Sequence, residues 1–146
     1  MSNFQQVSVS AIILNNKGEF LLLRRSENDA FLPKYWEIPG GAMEFGEEPN
    51  DSLAREILEE CGLKVIIISP TSVVTYFMEE GGDKIQRVDI IFLTKLINED
   101  SKVELSNEHS SYRWITFKDL HNFRVSDLMK KLIIEVHAHP LLNKIQ

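Results

Sequence analysis

Glu56, Glu59 and Glu60 are the residues of this chain whose types and spacing could do chemistry. At about 100° per residue of α-helix, with Glu56 at zero, Glu59 falls near 300° and Glu60 near 40°, so the three carboxylates would share one arc. Glu56 forms a like-charge pair with each of the other two at helical neighbour spacing, disfavoured by about 0.2–0.5 kcal/mol apiece on an exposed helix. That penalty is too small to show purpose, and a solvated acidic face is the commoner meaning of such a cluster. The adjacent arc adds information: Leu53, Ala54, Ile57, Leu58 and Cys61 fall between roughly 60° and 200°, an apolar stripe wide enough to face a core. A helix with one face for burial and the next for carboxylates suits a hard dication such as Mg2+ or Mn2+, which takes oxygen ligands and keeps waters that a phosphate can displace. Such an ion inverts the local field, polarises a phosphoryl oxygen and acidifies a bound water.

The surrounding residues carry a longer pattern. Gly41, five residues, Glu47, seven residues, Arg55-Glu56, aliphatic Ile57, one residue, Glu59-Glu60, one residue, Gly62 and aliphatic Leu63 follow one another without a gap. This resembles the Nudix box of the Nudix hydrolases. The lead-in Trp36-Glu37-Ile38-Pro39-Gly40-Gly41, the Arg24-Arg25 pair after a strand, and Glu108 followed by Trp114 and Ile115-Thr116-Phe117-Lys118-Asp119-Leu120 are similar to the small MutT-type members. The resemblance implies an α/β fold, a mixed β-sheet sandwiched between α-helices, in a single Nudix domain over residues 1–146. It implies Glu59 and Glu60 as ligands of Mg2+ or Mn2+, the Gly40 carbonyl as a further oxygen, and Glu56 as either a ligand or the base that activates water, with Glu108 as the second candidate base. Arg55 and Glu47 are expected to form an ion pair that ties loop to helix and sets the metal-binding face. Arg24, Arg25 and Lys34 could meet phosphate and Tyr76 with Phe77 could offer a base-stacking surface, although solvated charges and a strand core use these residue types equally well.

The activity implied is Mg2+-dependent hydrolysis of a pyrophosphate bond in a nucleoside diphosphate linked to another group, such as a nucleoside triphosphate. The partner is then a small nucleotide, and since many relatives pair, a homodimer is compatible with the resemblance. Two alternatives stand beside it: a pyrophosphatase for ADP-ribose or nucleotide sugars, and a non-catalytic nucleotide-sensing module. An intact box argues against the sensor. Where the family's ADP-ribose enzymes carry a proline beyond the box, this chain has Met78. The diphosphate isomerases of the superfamily use a cysteine away from this helix, whereas Cys61, the one cysteine here, lies within it.

The elements that must position these groups can be read from periodicity. Gln5 to Leu14 partly alternates, with Val7, Val9, Ala11 and Ile13 on one side, and Asn15 to Gly18 reads as a turn into a paired strand at Phe20 to Arg24. A loop punctuated by Pro33, Pro39, Gly40 and Gly41 leads to the acidic helix, which should start near Pro49 and stop at Gly62. Val65 to Ile68 and Ser72 to Phe77 have strand composition, and Glu79 to Lys84 reads as a turn into a strand at Arg87 to Leu96. A polar loop precedes a short strand around Tyr112 to Ile115. Ser126 is placed to cap a last helix whose Leu128, Met129, Leu132, Ile133 and Val136 share a face. His109 sits beside Glu108 in the polar loop, within reach of a site.

Composition sets the outer limits. With 146 residues, 43% hydrophobic and 26% charged, the chain has the make-up of one compact domain rather than a disordered segment. A net charge of −6 disfavours a grip on nucleic acid polymers or anionic membranes, so phosphate would have to be met through a cation. The single cysteine excludes an internal disulfide, and no apolar run approaches the roughly 20 residues of a bilayer span. A cytoplasmic setting is the expectation.

Overall fold

Strict alternation along the first strand decides which face each later element covers. The structure, a computed structural model, describes residues 1–145. In β1 (Asn3–Leu14), Val9, Ala11 and Ile13 enter one apolar cluster while Ile12 and Leu14 enter a second on the opposite face. Val7, grouped with the first set by its parity, is 40% exposed because the strand projects beyond the core there. β2 (Phe20–Arg25) repeats the division, Leu21 and Leu23 to the first cluster and Phe20 and Leu22 to the second. A sheet buried on both faces needs a helical layer on each.

One layer is α1 (Pro49–Cys61). Proline occupies its first turn and Gly62 ends it with φ 68°, its N–H bonded to the Leu58 carbonyl, the left-handed stop that a residue with a Cβ adopts reluctantly. The buried positions are Ser52, Leu53, Ile57, Glu60 and Cys61, while Leu58 is 53% exposed. The helix is therefore rolled toward its carboxylates compared with the apolar stripe read from sequence: Leu58 leaves the core and Glu60 enters it.

The opposite layer is α2 (Asp127–His137), capped by Ser126, whose Oγ accepts from the Met129 N–H at 3.1 Å. Leu132, Ile133 and Val136 are buried beneath it. A 3₁₀ turn (Phe117–Asn122) and α3 (Pro140–Ile145), neither anticipated from the sequence, add Leu120 and Leu142 to this cluster.

The sheet between them is mixed and seven-stranded, with β1 parallel to β6 (Asp83–Leu96) and the remaining pairs antiparallel. This is the α/β sandwich that the resemblance implies. β5 (Val65–Glu80) is one edge strand, where sequence suggested two separated at Pro70. Register shifts at Ile67/Ser69 and Pro70/Ser72 accommodate the residue that lacks an N–H, which an edge permits. Among the described residues no helix is long and apolar enough to cross a membrane.

One feature of the sheet builds the site. β1 and β2 pair at Leu14 and Phe20 and then part, and the chain from Trp36 to Ala42 fills the gap. Its first half, β3 (Trp36–Glu37), pairs with β2 and its second, β4 (Gly40–Ala42), with β1. On the outer edge of β2 lies β7 (His109–Ile115), which starts at His109 rather than near Tyr112.

Candidate active site

Four glutamates converge where α1, β4 and the loop before β7 meet. The last turn of α1 has carbonyls without intrahelical partners. The loop supplies them: the Glu104 N–H bonds the Cys61 carbonyl at 2.8 Å and the Ser106 N–H bonds that of Glu60 at 3.3 Å. Fastened in this way, the loop brings Glu108 to a cleft of about 290 Å³ shared with Glu56, Glu59 and Glu60. On the other side the backbone presses close. A Cβ on Gly41 would overlap the Glu56 carboxylate, and one on Gly40 would overlap the Ser10 side chain and the Val9 backbone.

Burial separates the four acids. Glu60 is 5% exposed and its Oε1 accepts from the Gly40 N–H at 2.8 Å. Loss of solvent, with the charges of Glu37, Glu108 and Glu56 added, pushes its carboxyl up to about 9 despite that hydrogen bond. Gly40 thus meets Glu60 through its amide nitrogen. Glu56 is also raised, first by burial and opposed by Arg55. Glu59 is exposed and Glu108 reaches in from the solvent side.

Arg55 organises the helix face. It holds Glu47 through two hydrogen bonds of 2.8 Å, and its third nitrogen reaches Glu56 Oε1 at 3.0 Å and Glu59 at 3.3 Å. Its own ionisation is driven far up, chiefly by the bond to Glu47, while Glu47 is drawn down to about 2 by the same bond. No protein donor engages the second Glu56 oxygen among the described residues.

The substrate-side candidates divide. A bulge between Arg24 and Arg25 interrupts the β2–β7 register. Arg25 lines the large cavity, and Arg24 lines neither the cleft nor the cavity. Arg25 is bound by Glu37 at 2.9 Å and Asp29 at 2.6 Å, which hold it protonated against the effect of burial. Lys34 lies 3.7 Å from Glu27. Tyr76 faces the cavity from β5, whereas its neighbour Phe77 is 61% exposed. This cavity of about 450 Å³ adjoins the acids at Gly40, Glu60 and Glu108 and continues past Tyr76 to Met129.

Two polar residues of its wall, Glu37 and Asp89, were not singled out from sequence, and a third, His109, was noted there only as the neighbour of Glu108. Glu37, read there as part of a lead-in, is the hub between Arg25 and His109 Nε2, the latter at 2.8 Å. His109 is buried at the start of β7, beside Glu60. Asp89 is 7% exposed, accepts from the Ser10 hydroxyl at 3.0 Å through both oxygens, and is pushed up to about 6 by burial. The available signal was parity: Asp89 shares its strand face with Ile91 and Leu93, where a charge is out of place unless it is used.

Comparison with known proteins decides the family. The model of the NUDIX domain matches residues 4–136. The chain belongs to the Nudix family. A nucleoside triphosphatase NudI of Klebsiella pneumoniae is 33% identical over 119 residues, 76% of this chain and 82% of the relative. Among solved structures, a MutT protein from Methanosarcina mazei superposes with TM-score 0.75 at 28% identity, covering 92% of this chain and 96% of the other. A C. elegans Ap4A hydrolase superposes with TM-score 0.70 at 26% identity over 91% and 96%. The chain is thus a Nudix pyrophosphohydrolase of MutT type, and the convergent glutamates are its Nudix helix and the loop that closes over it.

Proposed function

We propose that this Nudix enzyme is a divalent-cation-dependent nucleoside triphosphatase, cleaving the anhydride of a triphosphate with Glu56, Glu59, Glu60 and Glu108 around the reacting phosphorus. The observation that carries the reading is continuity: the acid cleft opens at Glu60 and Glu108 into a cavity whose far wall holds Tyr76, Met129 and the buried Asp89. Triphosphate at one end and base at the other match the two chemistries. Similarity to NudI-type nucleoside triphosphatases supports the substrate class.

The donor set fits Mg2+ or Mn2+. Carboxylate oxygens at one cleft are ligands for hard dications, and a buried carboxyl raised to about 9 marks a place that needs positive charge to be ionised near neutrality. Glu59, Glu60 and Glu56 with Gly40 are the residues that would hold such an ion, which when bound supplies polarisation of phosphoryl oxygen and a more acidic water. Glu56 suits the base: burial raises its proton affinity, Arg55 fixes one oxygen, and the other is free to take a proton. Glu108 is the second candidate from across the cleft. Arg55 and Glu47 hold Glu56 and Glu59 in place.

The test is hydrolysis of a panel of ribo- and deoxynucleoside triphosphates, ADP-ribose, nucleotide sugars and dinucleoside polyphosphates with Mg2+ or Mn2+, for wild type, Glu59→Gln and Glu60→Gln. The reading expects triphosphates to be the best substrates and both variants to lose at least about 100-fold in kcat, the order seen when one electrostatic stabiliser is removed. Best turnover of ADP-ribose or a nucleotide sugar would move the assignment to that class, and inactivity on every compound would favour a nucleotide sensor.

A further inference from the structure

His109 has one ring nitrogen that no protein group accounts for. Its side chain is 2% exposed, Nε2 lies 2.8 Å from Glu37 Oε2, and Nδ1 is buried with no hydrogen-bond partner, 3.8 Å from Glu60 Oε2. Both Glu37 oxygens also accept from the Arg25 guanidinium, at 2.9 and 3.0 Å. A group that only accepts must receive the imidazole hydrogen, which places it on Nε2 and leaves Nδ1 of the neutral ring as a bare lone pair. That lone pair is aimed at carboxylate oxygens, and one ligand atom each from Glu60, Glu108 and His109 lie within 4.8 Å of one another. Glu60 and His109 are buried and Glu108 closes the group from the solvent side, so the three donor atoms surround a place suited to a positive occupant. An imidazole whose other nitrogen is tied to a carboxylate is also the usual arrangement of a metal-binding histidine.

We infer that His109, held in orientation by Glu37, is a nitrogen ligand through Nδ1 to the divalent cation of the proposed function, with Glu60 and Glu108 as its oxygen co-ligands. The inference rests on that cation reading. It carries a selectivity: a nitrogen donor favours first-row transition dications over Mg2+, so Mn2+ or Co2+ binds this site more tightly than an all-carboxylate one would. The rival occupant is a second proton on the ring, which would make His109 an imidazolium between Glu37 and Glu60.

The experiment uses tag-free full-length protein and Mn2+ alone, with pulsed EPR for the ligand atoms and calorimetry for affinity, alongside calorimetry with Mg2+. The expected result is nitrogen hyperfine modulation on bound Mn2+, abolished in His109→Gln together with at least a tenfold loss of Mn2+ affinity and a fall in the Mn2+/Mg2+ affinity ratio. Glu37→Gln keeps the modulation at roughly tenfold weaker binding. Should His109→Gln fail to fold, isotopic labelling of histidine assigns the wild-type signal. Replacing His121, His137 and His139 together should leave that signal unchanged. Mn2+ bound without nitrogen modulation overturns the histidine ligand and leaves the cation reading standing. Absence of both Mn2+ and Mg2+ binding overturns the two together.

Discussion

Arg55 meets Glu47 through two parallel hydrogen bonds of 2.8 Å, Nε to one carboxylate oxygen and a terminal nitrogen to the other. The fork leaves the remaining nitrogen pointed at Glu56 and Glu59, so a single guanidinium sets the distance between the loop before α1 and the acids on it. An ammonium has the charge without the fork. Arg55→Lys is expected to reduce kcat/KM for triphosphate hydrolysis by about 10–100-fold, the range for residues that orient a metal site, with a circular dichroism spectrum like wild type. Unchanged kinetics would reduce the pair to a tether for the loop.

Gly40 and Gly41 are adjacent yet should respond differently to alanine. At Gly40 the added carbon meets backbone, the Val9 carbonyl and Ser10 Cα, which cannot move without disturbing β1. At Gly41 it meets the carboxyl end of Glu56, which can swing away. Gly40→Ala is therefore expected to destabilise the fold by about 1–3 kcal/mol, as overpacking does. Gly41→Ala should melt close to wild type and lose activity, because the displaced carboxylate is the proposed base. Thermal melts and steady-state rates on the same preparations check both halves, and a large drop in melting temperature for Gly41→Ala would count against the account of Glu56.

Asp89 makes a pH prediction with a definite sign. Its carboxyl moves from 3.8 in the open chain to about 6 in the fold, mainly through burial, so the folded protein binds the proton more tightly. The stabilising contribution is complete below pH 3.8 and is lost as pH rises through about 6. Relative to Asp89→Asn, wild type should lose on the order of 3 kcal/mol across that window, the linkage value for such a displacement. Urea titrations of both proteins at pH 4, 5, 6 and 7 measure the divergence. Parallel curves would show that Asp89 stays charged at no cost, through donors stronger than the Ser10 hydroxyl.

Much of this architecture was legible because local rules and tertiary packing agree. Proline at the start of α1, glycine at its end, the serine cap of α2 and the alternation in β1 each specify their own geometry within a few residues. The glutamates at 56, 59 and 60 were visible because a helix fixes their directions. What escaped depends on contacts between distant parts of the chain. A bulge at Ser110 of β7 sets His109 opposite Arg25, which no alternation rule anticipates. Glu60 enters the core because the helix rolls against β4 and the loop from Glu104 to Ser106 covers its end. Glu37 and His109, 72 residues apart, become partners only when β3 and β7 flank the same strand.

Tyr76 provides a test of where the base lies. It lies on β5 opposite Arg87 of β6, half-buried, on the cavity wall with Asp89, Glu37 and Met129. Burial raises its hydroxyl, so the ring is neutral at working pH and presents an aromatic face to a ligand. A base stacked on an aromatic side chain gains about 1–3 kcal/mol, which corresponds to roughly 5–150-fold in affinity. Tyr76→Leu keeps an apolar surface on the strand and removes that face. Its KM for nucleoside triphosphates should rise within that range while kcat changes less than threefold, since the triphosphate still lies among the glutamates. The same variant should cleave a base-free substrate such as inorganic tripolyphosphate at the wild-type rate. Equal losses on both substrates would place Tyr76 in the structure of the acid cleft and move the base elsewhere along the cavity.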